Sequence, residues 1–311
     1  MQLKQLCKIL EKNSRLEILG YVAVRGGIAR VTNLEVAATM PCDLPDGLYY
    51  GKAWARDQFI RNEELSLDEY PEIPSPSGKA KLTIQAEDIA RVIEACGDKF
   101  SLSGFLVEYT KSGEYLLVAT DGHRLHCSGQ MDLLKTKGKN HQIIVHKKAW
   151  DLLQLHDSWE MASDEHNVFF RHGDTVVSSR IIDEKYPNFR SVVPDLSKFT
   201  VIGNEDLLDC MAALHRECNR IGSNSRNNGL TLYKRDNNSL GVCRHDPAKG
   251  KTFRMESGIA CDQPVQAAFN GEYIAALDRI EGQKSVYWQD NDSTFYVQHD
   301  RGACLVMPLH L

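Results

Sequence analysis

Leu117-Val118-Ala119-Thr120-Asp121-Gly122-His123-Arg124-Leu125 reads as a strand, a tight turn and the start of a second strand. Tyr115 to Ala119 is an apolar run suited to a strand, and Asp121-Gly122 supplies the residues a turn needs. Just beyond, His123, His126 and Cys127 offer zinc-ligand chemistry. Their spacing is wrong for a helix-borne pair, and on a strand His123 and His126 point to opposite faces. No second cluster at ligand spacing accompanies them, so the turn is preferred and no metal is expected.

The same vocabulary recurs on both sides of this hairpin. Gly20 to Val24, Asn167 to Phe170, Thr175 to Ser179, Leu230 to Tyr233, Ser293 to Gln298 and Ala303 to Met307 read as strands. Ser112-Gly113, His172-Gly173-Asp174, Asp300-Arg301-Gly302 and Gly26-Gly27 are turn signals between strands. Helical spacing is expected at Leu3 to Leu10, Gly51 to Asn62, Ala86 to Lys99, Lys147 to His156, Asn204 to Ile221 and Asn270 to Ile280. Pro71, Pro74 and Pro76, set among acids and serines, mark an extended linker, and Val193-Pro194-Asp195 marks a second seam. Three blocks follow, 1–80, 81–194 and 195–311, each with about two helices and antiparallel strands. The fold class expected is α+β.

Composition narrows the function. The 311 residues are 42% hydrophobic and 25% charged, the balance of a globular chain rather than a disordered one. No apolar run approaches the ~18 residues of a membrane helix, and the lysines near Met1 do not suit a signal peptide. Nine cysteines without a CxxC pair argue for reduced thiols and a cytoplasmic protein. A formal net charge of −5 excludes a protein that coats nucleic acid with its whole surface, but not a basic stripe on an acidic body.

No GxSxG, GxxxxGK[ST] or GxGxxG motif occurs, so neither an enzyme nor a cofactor is expected. The basic residues say more. Lys4, Lys8 and Lys12 fall four apart on the first helix, Lys52 and Arg56 four apart on the second, and Arg216 and Arg220 four apart on the fifth. Lys147 and Lys148 open the fourth. Each pair alone reads as a solvated face. Helices lining one surface would gather all nine into a track for DNA phosphates, which position a protein without reading sequence.

Three segments give the chain a family resemblance. The opening stretch, with Ser179-Arg180-Ile181-Ile182-Asp183-Glu184-Lys185-Tyr186-Pro187-Asn188-Phe189-Arg190 and Val306-Met307-Pro308-Leu309-His310-Leu311, is similar to the bacterial DNA polymerase III beta subunit, the sliding clamp. Phe269-Asn270 with Tyr273 adds a weaker match. The resemblance covers about 81–311 well and the first block loosely. It implies three clamp-type domains, a head-to-tail homodimer ring around double-stranded DNA, and non-enzymatic tethering of DNA polymerase. It also implies a hydrophobic pocket, between the second and third domains, for short peptides of polymerase and clamp loader. Carried over by position, the pocket would comprise Leu102, Thr120, Gly122, His123, Arg124, Leu125, Pro187, Val192, Asn270, Tyr273, Val306, Met307, Pro308 and Leu309.

Two departures from the family accompany the match. The first block is some 40 residues shorter than the others, which implies missing strands after its second helix. Leu65 and Leu67 are then expected as the remnant of the interface strand, meeting the region of Cys218 and Ile221 in a neighbouring copy. Ser191 and His310 stand where the family commonly has arginine, which implies altered peptide preference. The rival to a ring is a clamp-like peptide-binding adaptor or decoy that does not close around DNA.

Overall fold

The structure, a computed structural model, describes residues 2–10, 15–76, 80–135, 140–222, 229–246 and 249–309. Lys12 and His310 lie outside the described residues. The chain forms two compact units, residues 1–118 with 136–187 and residues 119–135 with 188–311. No helix among the described residues is long and apolar enough to cross a membrane. All nine cysteines are free thiols.

In the first unit, one antiparallel sheet of nine strands carries both the first block and part of the second. Its order is Arg61–Asn62, Gly47–Tyr50, Tyr21–Arg25, Ile28–Thr32, Val36–Pro41, Thr175–Arg180, Asn167–His172, Ser158–Ser163, Leu82–Gln85. The two blocks meet where Thr39 stands opposite Val176 and Ala37 opposite Ser178. Gly26 and Gly27 both adopt left-handed φ, +60° and +72°, the two-residue hairpin turn that their sequence implies. His141–His146, Gly104–Tyr109 and Tyr115–Thr120 pair in that order in further antiparallel ladders.

Short helices cover this unit, and they are shorter than their spacing suggests. The first is a 3-10 helix over Gln2–Ile9 that buries Leu6 and Ile9. The second ends at Trp54, because Asp57 turns left-handed and the Tyr50 amide then donates to the Ile60 carbonyl. The chain thus doubles back to pair Arg61–Asn62 with Gly47–Tyr50 instead of continuing as helix to Asn62. Ala86–Ile93 and Trp150–Leu153 complete the set, the latter preceded by a 3-10 turn at Lys147–Ala149.

The proline-rich stretch is not a detached linker. Tyr70 donates its hydroxyl to the Tyr21 and Arg30 carbonyls, and Ile73 packs with Leu65 and Leu67 around Tyr21, Ala23 and Leu48. Residues 67–76 therefore strap one face of the sheet and leave a groove of about 440 Å3 beneath them. Leu65 and Leu67 are half-buried on their own sheet and belong to no strand, so they are not an interface strand.

In the second unit, the helix Glu205–Arg220 is close to its expected span. Asn204 caps it by accepting from the Asp206 amide, an interaction worth ~1 kcal/mol. Leu207, Met211, Leu214 and Cys218 form its buried stripe, against a core that includes Phe269, Trp288 and Phe295. Cys218 is 1% exposed, whereas Ile221 just beyond the helix is 38% exposed. The helix packs beside Gly271–Asp278. Arg124–Gly129, Gly302–Val306, Phe295–His299, Lys284–Trp288 and Thr200–Asn204 pair in that order. A four-stranded sheet runs Lys251–Ala260, Ser239–Asp246, Gly229–Lys234, Gln266–Asn270, its edge a ten-residue strand.

Candidate functional site

The Thr120–Leu125 turn is held by its own side chains. Thr120 Oγ1 accepts from the Gly122 amide at 3.1 Å and donates to the Arg124 carbonyl at 2.5 Å. Asp121 Oδ1 accepts from the His123 and Arg124 amides at 2.9 and 3.0 Å. Gly122 is required by its φ of +93°; open space surrounds it, so close backbone approach is not the reason for glycine. The turn leaves His123 exposed while His126 and Cys127 go inside, separating the three residues that suggested zinc. Among the described residues, no group of three or more His, Cys, Asp and Glu side chains could hold a metal.

Asp121 does a second job. Its Oδ2 lies 3.1 Å from Arg124 Nε, and the Arg124 guanidinium sits 4.4 Å from the centre of the Tyr273 ring. Burial first, and then the Asp121 carboxylate, hold the Tyr273 phenol above its ordinary value. Asn270 caps Gly271–Asp278 by accepting from the Glu272 amide, which places Tyr273 in the first turn. Asp121 was not among the expected pocket residues, since in sequence its turn role accounts for it fully.

The end of the chain folds against this turn. Leu305 pairs with Leu125 and Val306 with Arg124, the Met307 amide donates to the His123 carbonyl, and the Leu309 amide donates to that of Ala268. His123, Arg124, Met307, Pro308, Leu309, Asn270 and Tyr273 are thereby brought into one neighbourhood. Met307 and Leu309 are 41% and 39% exposed, and Val192 is 42% exposed on its own 3-10 turn. Leu125, Val306 and Thr120 are buried, so they support the surface and do not form an open wall. Leu102 and Pro187 belong to the first unit, half-buried and exposed respectively.

The basic residues divide in two. Lys4 pairs with Asp57, Lys147 with Asp98, Lys148 with Glu35, Arg216 with Asp209 and Asp278, and Arg220 with Glu217. Lys8, Lys52 and Arg56 are exposed and make no ion pair among the described residues. In the first unit the 3-10 helix Gln2–Ile9 packs against both Gly51–Trp54 and Trp150–Leu153. Burial pushes the Glu35 carboxyl up, but Lys148 and His146 outweigh it and hold the group below its ordinary value.

Comparison with known proteins agrees with this architecture. Residues 79–188 match the DNA polymerase III beta subunit central domain. The beta sliding clamps of Synechococcus elongatus and Escherichia coli K12 are each 25% identical, over 79% of this chain and 70% of their own length. The DNA polymerase III beta subunit of Pseudomonas aeruginosa superposes with a TM-score of 0.81 at 21% identity, covering 100% of this chain and 97% of that one. The Thermotoga maritima beta subunit gives 0.80 at 18% identity, covering 100% and 96%. The fold is therefore the α+β DNA-clamp fold. Residues 79–188 are similar to the central domain of the DNA polymerase III beta subunit, and the whole chain shares the fold of the bacterial sliding clamps.

Proposed function

We propose that the protein is a non-enzymatic processivity factor that encircles duplex DNA and tethers a polymerase through its C-terminal surface. The observation that carries this reading is the packing of Gln2–Ile9 against Gly51–Trp54 and Trp150–Leu153. In this reading the cations carried on and beside these elements, Lys4, Lys8, Lys52, Arg56, Lys147 and Lys148, form one DNA-facing layer of the first unit. Arg216 and Arg220 supply the second unit's share. Five of these eight cations are already paired with carboxylates. The lining therefore attracts phosphates weakly, as a ring that must slide requires. The blocks 1–80, 81–194 and 195–311 are the three clamp domains of this reading, which places the protein in the cytoplasm at the nucleoid.

Its peptide site is the exposed apolar set Val192, Met307 and Leu309, with Arg124 fixed over Tyr273. Extended segments of polymerase and clamp loader would bury one or two apolar anchors there. The deciding experiment loads the protein onto nicked circular duplex with a bacterial clamp loader and follows retention by gel filtration. Retention on the circle, loss on linearisation, and faster loss after Lys8→Glu with Lys148→Glu are expected. Equal retention on circular and linear DNA would refute encirclement.

A further inference from the structure

A cavity of about 630 Å3 opens in the first unit between the 3-10 helix Gln2–Ile9 and the short helix Gly51–Trp54. That is within the roughly 300–1,000 Å3 of ligand pockets. Leu10, Cys7 and Tyr21 supply apolar lining, Tyr50 stands at its edge, and Lys52 and Arg56 lie along one side. The helix begins hard against this lining because position 51 is glycine; a Cβ there would sit 2.6 Å from the Gly20 carbonyl oxygen.

The polar groups favour an anion. Lys52 on the short helix and Arg56 in the turn that follows it are exposed and without an ion pair among the described residues. Among the described residues, the one lining carboxylate, Glu17, already accepts the Tyr21 hydroxyl at 3.0 Å. The Cys7 thiol, pushed up to about 12 by burial, stays neutral. Tyr50 is 42% exposed yet its ring is held, packed 5.0 Å from the Tyr21 ring with its hydroxyl accepting from Asn62 Nδ2 at 3.0 Å. A fixed, solvent-facing aromatic ring beside two available cations is how proteins hold single-stranded nucleic acid: base on ring, phosphate on cation. An acidic peptide would use the cations but not the ring face.

We propose that this cavity takes one nucleotide of single-stranded DNA, its base stacked on Tyr50 and its phosphate held by Lys52 and Arg56. The choice of nucleic acid over other planar anions rests on reading the helical layer as the DNA-facing one. A clamp with such a site would hold the unpaired strand beside a primer junction as well as the duplex.

The test is fluorescence anisotropy with a labelled oligothymidylate of about twelve nucleotides, with unlabelled thymidine 5′-monophosphate and an oligoglutamate peptide as competitors. Wild-type protein should bind the oligonucleotide. Tyr50→Ala should weaken binding about tenfold, Tyr50→Phe should retain it, and Lys52→Glu with Arg56→Glu should abolish it. Because Tyr50→Ala also removes packing against Tyr21, the exposed double charge reversal provides the independent arm. Unchanged affinity in that folded double variant would overturn the proposal. So would stronger competition by the mononucleotide or by oligoglutamate than by unlabelled oligothymidylate. Circular-duplex retention separates the two readings: retention with no oligonucleotide binding sinks the cavity alone, and oligonucleotide binding without retention sinks encirclement alone.

Discussion

Leu125 and Met307 are both apolar, both near the same turn, and opposite in what a charge would do to them. Leu125 is 3% exposed and paired with Leu305, so Leu125→Asp would bury an unpaired carboxylate and cost the fold, not only the site. Met307 and Leu309 stand on the surface, where a charge stays solvated. We expect Met307→Asp with Leu309→Asp to weaken a polymerase-derived clamp-binding peptide at least tenfold in fluorescence polarisation, since each anchor buried there contributes ~1.5 kcal/mol or more. Native circular dichroism with unchanged affinity would move the peptide site elsewhere. Gly51 offers a test of packing alone. A Cβ there meets backbone, the Gly20 carbonyl, which cannot swing aside as a side chain can. Gly51→Ala should therefore lower stability by ~1–3 kcal/mol in urea denaturation. At this scale the residue types near the turn were legible from sequence, but which of them face outward was not. Alternation along a strand assigns two faces without saying which one the rest of the chain covers.

Among elements, the helix Glu205–Arg220 was legible because its apolar period, its Asn204 cap and its acidic first turn all agree. The expected helix from Gly51 to Asn62 was not, because pairing of Arg61–Asn62 with Gly47–Tyr50 overrides local spacing. The hairpin of Ser239–Asp246 and Lys251–Ala260 was less legible: Phe253, Met255 and Ile259 alternate with Arg254 and Glu256, but Ser257-Gly258 interrupts the pattern and the strand is half exposed along its length. Helix pairing in the second unit has a titratable joint. His215 Nε2 on Glu205–Arg220 lies 3.2 Å from Glu272 Oε1 on Gly271–Asp278, while its Nδ1 faces the Arg244 guanidinium at 3.3 Å. Asn219 Nδ2 also lies 3.1 Å from Nε2, so both ring nitrogens have polar neighbours. Burial first, and Arg244 and Arg216 with it, lower the His215 pKa below 6.5, against the opposing pull of Glu272. A lowered histidine favours the neutral folded state, so its stabilisation is present above 6.5 and is lost as pH falls through the folded value. Burial lowers His146 and His156 as well, so they add to the same slope. The thermal midpoint should fall between about pH 7.5 and about pH 5.5, and His215→Gln should flatten part of that fall. A slope identical in the variant would remove His215 from the account.

For the whole molecule, the edges of the sheets bear on assembly. The sheet of the first unit ends in Arg61–Asn62, a two-residue strand that offers a neighbour almost no backbone ladder. Leu65 and Leu67 pack on their own sheet and Cys218 in its own core, so of the contact expected between copies Ile221, 38% exposed, is the residue most open to a neighbour. The second unit differs. Its edge strand Lys251–Ala260 is ten residues long, and its Phe253, Met255 and Ile259 are only partly buried. A long, open edge of this kind is a pairing site that a monomer must otherwise protect. A head-to-tail contact uses different surfaces on its two sides, so it closes by rotation or grows into a filament. With one side so short, a head-to-tail junction would carry few backbone hydrogen bonds and depend on side-chain burial, so a ring of the proposed kind should be weak. Sedimentation velocity should accordingly show a dimer that dissociates within the micromolar range, with the dimer fraction rising with salt as apolar contact outweighs charge. Met255→Lys with Ile259→Lys should shift it to monomer while leaving peptide binding intact. A wild-type protein that sediments only as monomer at every concentration, yet still binds the peptide, would be the adaptor and not the ring.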